Sequence, residues 1–233
     1  MERQRPDDVA AELVLTVVFC VPGKEFSDRF LTCWTELLVA CILKGITFHL
    51  RNTYTSNVYL LRNSILKDNA ASGGIKVSDN VPLNGFPYDY LMWIDSDMVF
   101  TPEQFFKMLA REKDIMSGSA MTDPRTRKLN WGKIDTEGRC NFVTKDTVKD
   151  FPLDEDGLAD VDFVGYAWLL VRKGVYEKML FPWFRPMTTR YGNNMYFPSE
   201  DIGWCHAVKE LGFKIYVDPE LHIGHEKPVV MVG

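Results

Sequence analysis

At 233 residues with 46% hydrophobic content, the chain can bury a full core as one compact α/β domain or two interleaved halves, and it is not disordered. A net charge of −5 and a pI near 5.4 argue against a nucleic-acid backbone as the main partner, because neutralising phosphates ordinarily demands a basic face. The five cysteines (20, 33, 41, 140 and 205) are odd in number and form no CxxC pair, which suits small buried hydrophobes in a reducing compartment. Residues 1–10 are charged and lack an apolar signal core, and no stretch approaches the roughly eighteen apolar residues of a membrane span. A soluble, cytoplasmic protein is expected.

Leu13 to Val21 is a nearly continuous β-prone run that stops at Pro22-Gly23, the pattern of a strand buried on both faces. From Glu25 to Lys44 the apolar residues Phe26, Phe30, Trp34, Leu37, Leu38, Cys41 and Ile42 recur at three and four, predicting an amphipathic helix closed by Gly45. A second strand over 46–50 completes a βαβ unit, and no GxGxxG follows the first strand, which weakens a dinucleotide-dehydrogenase reading. Thr53 to Asn69 carries Val58, Leu61, Ile65 and Leu66 on one face and predicts a second helix. Arg62 in its middle reads by itself as a solvated helix charge. Lys76 to Asp89 reads as a loop.

The run Leu91-Met92-Trp93-Ile94-Asp95-Ser96-Asp97 leads four apolar residues into two carboxylates spaced i and i+2. Thr101-Pro102-Glu103-Gln104 then opens a helix over 102–110, with Thr to cap, Pro in the first helical position and Gln to close a capping box. Ligands of open α/β sheets collect outside the carboxyl ends of strands, so two acids there are placed to hold a hard divalent cation and phosphate oxygens with it. An Asp-Ser-Asp corner can also be a plain solvated turn.

Beyond that helix, 114–118 reads as a short strand and 122–128 as a polar, basic turn, while 130–160 carries few long apolar runs. Val161 to Val171 returns to a buried pattern around Gly165-Tyr166-Ala167-Trp168, and Lys173 to Leu180 continues as a helix. Aromatics are dense from 163 to 197, most of them expected in the core. Ser199-Glu200-Asp201 opens a last helix, where acids in the first turn are favoured by the helix dipole alone. A final strand over 214–218 precedes Pro219 to Lys227, where His222 and His225 flank Gly224 and make better ligand candidates than a lone histidine.

This order of elements resembles the GT-A class of nucleotide-sugar-dependent glycosyltransferases over most of the chain, most of all its compact bacterial, phage and large-virus members. The matching pieces are Val21-Pro22-Gly23, Arg62-Asn63, Trp93-Ile94-Asp95-Ser96-Asp97, Phe163-Val164-Gly165, Ser199-Glu200-Asp201 and His222-Ile223-Gly224-His225. The resemblance implies a single GT-A domain, Rossmann-like with a mainly parallel central sheet flanked by helices, whose residues 1–97 form a nucleotide-sugar donor half and 98–233 an acceptor half. It implies that Asp97 binds Mn²⁺ or Mg²⁺ bridging the donor diphosphate, and that Asp95 contacts the ribose or the metal shell. His225 would complete the metal site, with His222 the alternative ligand. Lys227 would reach the diphosphate, and Val21, Pro22 and Arg62, with Arg51 or Asn52, would line the nucleoside pocket. Of the Glu-Asp pair, Asp201 would be the base that deprotonates an acceptor hydroxyl in an inverting enzyme, with Glu200 the runner-up; retaining members carry the same pair. The implied partners are a nucleotide sugar and a hydroxyl acceptor on a glycan or glycoprotein.

Three other readings compete. A haloacid-dehalogenase-type phosphatase would use Asp95 as nucleophile and Asp97 as acid, but its motif normally lies near the start of its domain. A nucleotidyltransferase would need a Gly-rich basic loop where Val21-Pro22-Gly23-Lys24-Glu25 stands. A non-catalytic carbohydrate-binding domain could keep the fold without turnover.

Overall fold

The computed structural model describes residues 14–67 and 81–227. Strand β1 (Thr16–Cys20) pairs in parallel with β2 (Thr47–Arg51) on one side and with β3 (Tyr90–Ile94) on the other. The crossover helix α1 (Asp28–Leu43) starts where Ser27 Oγ accepts the Phe30 amide at 3.1 Å, and α2 (Val58–Leu66) starts on the Asn57 side chain, which accepts from the Leu60 amide at 3.1 Å. Along β1 and β3 side chains alternate between two buried clusters. Val18, Cys20, Leu91 and Trp93 enter one; Val17, Phe19, Met92 and Ile94 enter the other. Both sheet faces are therefore covered, as the unbroken apolar runs require.

The second half adds β4 (Met98–Val99), α3 (Pro102–Ala110), β5 (Ile115–Asp123), β6 (Lys128–Ile134), β7 (Cys140–Thr144), β8 (Ala159–Val161), β9 (Phe163–Val164) and β10 (Trp168–Arg172). It continues through α4 (Val175–Lys178), the hairpin β11 (Thr189–Tyr191) and β12 (Asn194–Tyr196), α5 (Glu200–Glu210) and β13 (Ile215–His225). The main sheet runs in the order β2-β1-β3-β10-β5-β13-β4. It is mixed rather than mainly parallel, because β10 lies antiparallel between β3 and β5, and β4 and β8 run antiparallel to β13.

The α/β layout, with a central sheet flanked by helices, is the one expected; several boundaries differ. The expected strand over 114–118 extends to Asp123 and turns back as β6, so the basic stretch 122–128 is the bend of a hairpin. The final strand does not stop at Asp218. It shifts register between Asp218 and His222 and resumes beside Ser119 and Ala120, so both histidines lie within the strand. The helix expected over 173–180 is a single turn, because Met179 leaves it in extended backbone. The illegible 130–160 contains most of β6 and all of β7; β6 also pairs with β5 and β9, while β7 pairs with β6 alone, buries only Val143 and so carries little apolar signal. Of the loop expected over 76–89, residues 76–80 lie outside the described residues, as do the last two of the second helix. All five cysteines are free, and four are buried. Among the described residues no helix is long and apolar enough to cross a membrane.

Candidate active site

The carboxyl ends of β1, β2 and β3 converge on the Asp-Ser-Asp corner. The Asp95 amide donates to Ala167 O at 3.0 Å, and the Met98 amide closes the turn on Asp95 O at 3.2 Å. Facing it is the exit of β1, where Val21 and Pro22 are buried. The Val21 amide donates to Arg51 O at 2.9 Å, and Asn52 Nδ2 bridges Val21 O (2.7 Å) and Gly23 O (2.9 Å). Gly23 has φ +150°, and a Cβ on it would fall 2.8 Å from Ser96 Cβ. A side chain at 23 would therefore push the first loop off the acidic corner.

Arg62 is the largest departure from the sequence reading. It is no solvated charge: only 4% of it is exposed. Its Nη1 donates to Asp95 Oδ1 at 3.0 Å and Nη2 to Asp95 Oδ2 at 3.4 Å, while Glu200 Oε1 lies 3.9 Å from Nη2. The guanidinium packs over Trp93 (5.3 Å) and Tyr166 (5.1 Å), a cation held between ring faces. Burial works against its charge, but Asp95 and then Glu200 outweigh that and bind its proton more tightly than usual. Arg62 thus lies under the site as the strut joining Asp95 on β3 to Glu200 on α5, rather than in a pocket wall. Both Asp95 oxygens are engaged by it, which argues against Asp95 as the nucleophile of a phosphatase.

Asp97 has a different set of partners. Its Oδ2 accepts from Lys227 Nζ at 2.9 Å and lies 3.0 Å from His225 Nε2; the other ring nitrogen, Nδ1, is 3.0 Å from Met121 O. A carbonyl can only accept, so Nδ1 carries a hydrogen toward Met121 O, and Nε2 is the ring atom that faces the carboxylate oxygen. That contact is made either by a second ring proton or, with the ring neutral, by a cation bound to both atoms. Burial alone would raise the Asp97 carboxyl, but the hydrogen bonds from His225 and Lys227, followed by their charges, hold it down to about 2. The side chain remains 42% exposed. Among the described residues no three His, Cys, Asp or Glu side chains group into a metal cage. Two converging donors, one oriented through its far nitrogen, fit a Mg²⁺- or Mn²⁺-type cation that takes its remaining ligands from phosphate and water.

His222 does not join this pair. On the strand it is exposed, one residue out of phase with buried Ile223, and its carbonyl accepts from Gln104 Nε2 at 2.6 Å. Asp95 turns to Arg62 instead. At the N-terminus of α5, Asp201 Oδ1 accepts from the Ile202 amide at 2.7 Å and from the Ser199 hydroxyl. The other oxygen, Oδ2, sits 3.7 Å from where a Cβ on Gly165 would be. Burial, and then the neighbouring charge of Asp201, raise the Glu200 carboxyl against the pull of Arg62.

Comparison with known proteins bears on the fold. No protein-family model matches the chain and no curated protein matches it. Among solved structures, A197 from STIV is similar at 14% identity and a TM-score of 0.53, over 92% of this chain and 87% of that one. That likeness shows a shared fold. More distant in shape are a Drosophila β-1,4-galactosyltransferase 7 in complex with manganese, UDP-Gal and xylobiose and the inositol-1-phosphate CTP transferase from T. maritima. The first has 13% identity and a TM-score of 0.43, over 88% of this chain and 65% of that one. The second has 12% identity and a TM-score of 0.42, over 91% and 89%.

Sequence reasoning missed what holds the acids. The contact of Gly23 with Ser96 and the stacking of Arg62 on Trp93 and Tyr166 join segments far apart in the chain, and no local spacing announces them. Asn52, named only as a pocket candidate, is a clamp between two strand exits. An asparagine directly after a strand was the available signal.

Proposed function

We propose that the chain is a divalent-cation-dependent glycosyltransferase of the GT-A class, moving a sugar from a nucleotide-diphosphate sugar to an acceptor hydroxyl on a glycan or glycoprotein. The observation that carries this reading is the opposition of Asp97 Oδ2 and His225 Nε2 at 3.0 Å, with Lys227 on the same oxygen, at the carboxyl end of a buried strand. That is a place for a cation and a diphosphate together. Val21, Pro22, Arg51 and Asn52 stand at the adjoining strand exits, where a nucleoside would lie. Arg62 fixes Asp95 toward the ribose and Glu200 toward the reacting sugar.

Asp97 and His225 would hold the cation, which when bound neutralises the negative charge growing on the departing diphosphate. Lys227 supplies a second positive charge to the same oxygens. Asp201, with Oδ1 tied to its own helix turn, keeps Oδ2 turned toward Gly165 and free to take the acceptor proton. Glu200, beside Arg62 at 3.9 Å, is the runner-up for that role.

The test is release of nucleotide diphosphate from a panel of nucleotide sugars with Mn²⁺ and candidate acceptors. Asp201→Asn is expected to bind donor as the wild type does and to lose transfer by about 10²-fold or more, the range for a removed general base. Full transfer by Asp201→Asn would remove it as the base. Donor binding without release by the wild type, under every acceptor, would favour the non-catalytic carbohydrate-binding reading.

A further inference from the structure

Beside His225 and Lys227, the two partners of Asp97, lies an open cavity of about 540 Å³, within the size range of small-ligand sites. Met121 and Leu129 give it an apolar lining, and Lys145 and Lys227 bring two cationic side chains beside the rings of His222 and His225. No aspartate or glutamate lines it. Lys227 is engaged by Asp97, but Lys145, just beyond β7, makes no ion pair among the described residues. The nearby acids are already taken: Asp146 pairs with Arg127 at 2.9 Å and Asp123 with Arg125 at 3.6 Å. In a chain of net charge −5, a cavity lined by two lysines and no carboxylate favours anions.

We infer that this cavity receives an acidic group, a carboxylate or phosphate borne by a sugar substrate, and that Lys145 is the residue that selects it. The inference rests on the glycosyltransferase reading for which sugar is moved, and it extends that reading from a sugar to an acidic sugar. The cavity adjoins the Asp97–His225 pair through His225 itself. An acid bound there would lie beside the leaving diphosphate. Lys145 offers a charge on a flexible stem and suits either anion; the apolar wall of Met121 and Leu129 gives the ring a surface to lie on.

The test uses the full chain and Lys145→Gln, an exposed position where the substitution keeps the fold. In one arm, glucuronate and glucose 6-phosphate are titrated against glucose without nucleotide. In the other, a nucleotide glucuronate is titrated against the matching nucleotide glucose with Mn²⁺. The expected result is tighter binding of the acid by about tenfold or more in at least one arm, as for a hydrogen bond to a charged group, and its loss in Lys145→Gln. Which arm responds tells acceptor from donor. Nucleoside diphosphate alone is expected to bind wild type and variant within twofold. Equal binding of acid and neutral sugar in both arms would overturn the inference. So would an equal loss of nucleoside diphosphate affinity in Lys145→Gln, which would put Lys145 on the diphosphate instead. Failure of every nucleotide to bind would count against the transferase reading, while the first arm would still decide the cavity.

Discussion

Asp95 and Asp97 are two residues apart on one corner, yet their surroundings differ in kind. Asp95 lies over a guanidinium only 4% exposed, which grips both its oxygens and reaches on to Glu200. Asp97 is 42% exposed and shares one oxygen with a histidine ring and an ammonium, both of which a ligand can displace or join. The contrast teaches that a pair of acids in sequence need not be a pair in function: one is wired into the scaffold and the other is presented. A buried ion pair costs desolvation whether or not a ligand arrives, so its role here is to fix geometry, and the half-open carboxylate is the group left to respond.

The comparison breaks most visibly through Arg62. Arg62→Met leaves Asp95 and Glu200 without their cation and is expected to cost about 3–5 kcal/mol, or about 10 °C in Tm. Asp97→Ala is expected to change stability by less than about 1 kcal/mol, the range for exposed ion pairs. Urea titrations of both variants check this. A larger loss in Asp97→Ala than in Arg62→Met would reverse the roles assigned to the two acids.

A smaller effect is expected at the contact that seats the corner. Gly23→Ala places a methyl 2.8 Å from Ser96 Cβ and is expected to cost about 1–3 kcal/mol. Ser96→Gly in the same chain should recover part of that loss, because it removes the atoms struck. No recovery in a double-mutant cycle would mean that the backbone conformation of Gly23, rather than Ser96, sets the cost.

The smallest effect sharpens the contrast by pH. The Asp97 carboxyl is held at about 2 against an ordinary value of 3.8, so its contribution is complete above about pH 4 and is lost as the pH falls toward 2. Its exposure keeps the amount below about 1 kcal/mol. The stability gap between wild type and Asp97→Asn should therefore close between pH 5 and pH 2.5 in denaturant titrations. A gap that stays constant would show that the carboxylate is not held by His225 and Lys227 in solution.

The first half of the fold was largely legible in the sequence, because β1 and β3 are buried apolar runs and α1 between them buries one regular face. The capped start of α3 at Thr101 was equally plain, since Gln104 Oε1 accepts the Thr101 amide as the spacing demands. The second half was harder. Strand β7 is largely exposed, and β10 enters the sheet backwards, an orientation that no local pattern of apolar residues encodes. Within the site, Asp97, His225 and Lys227 meet across more than a hundred residues of chain. Arg62 alone read as surface, because burial of a charge depends on Trp93 and Tyr166 arriving from other strands.

The central claim is that Asp97, with His225 and Lys227, binds a cation and a diphosphate together. Calorimetric titration of the full chain with nucleoside diphosphates, in Mn²⁺ and then in chelator, tests it most directly, with Asp97→Ala as the control. The account predicts binding of at least one nucleoside diphosphate that disappears both with chelator and in Asp97→Ala. Binding that survives in Asp97→Ala with its metal dependence intact would contradict it.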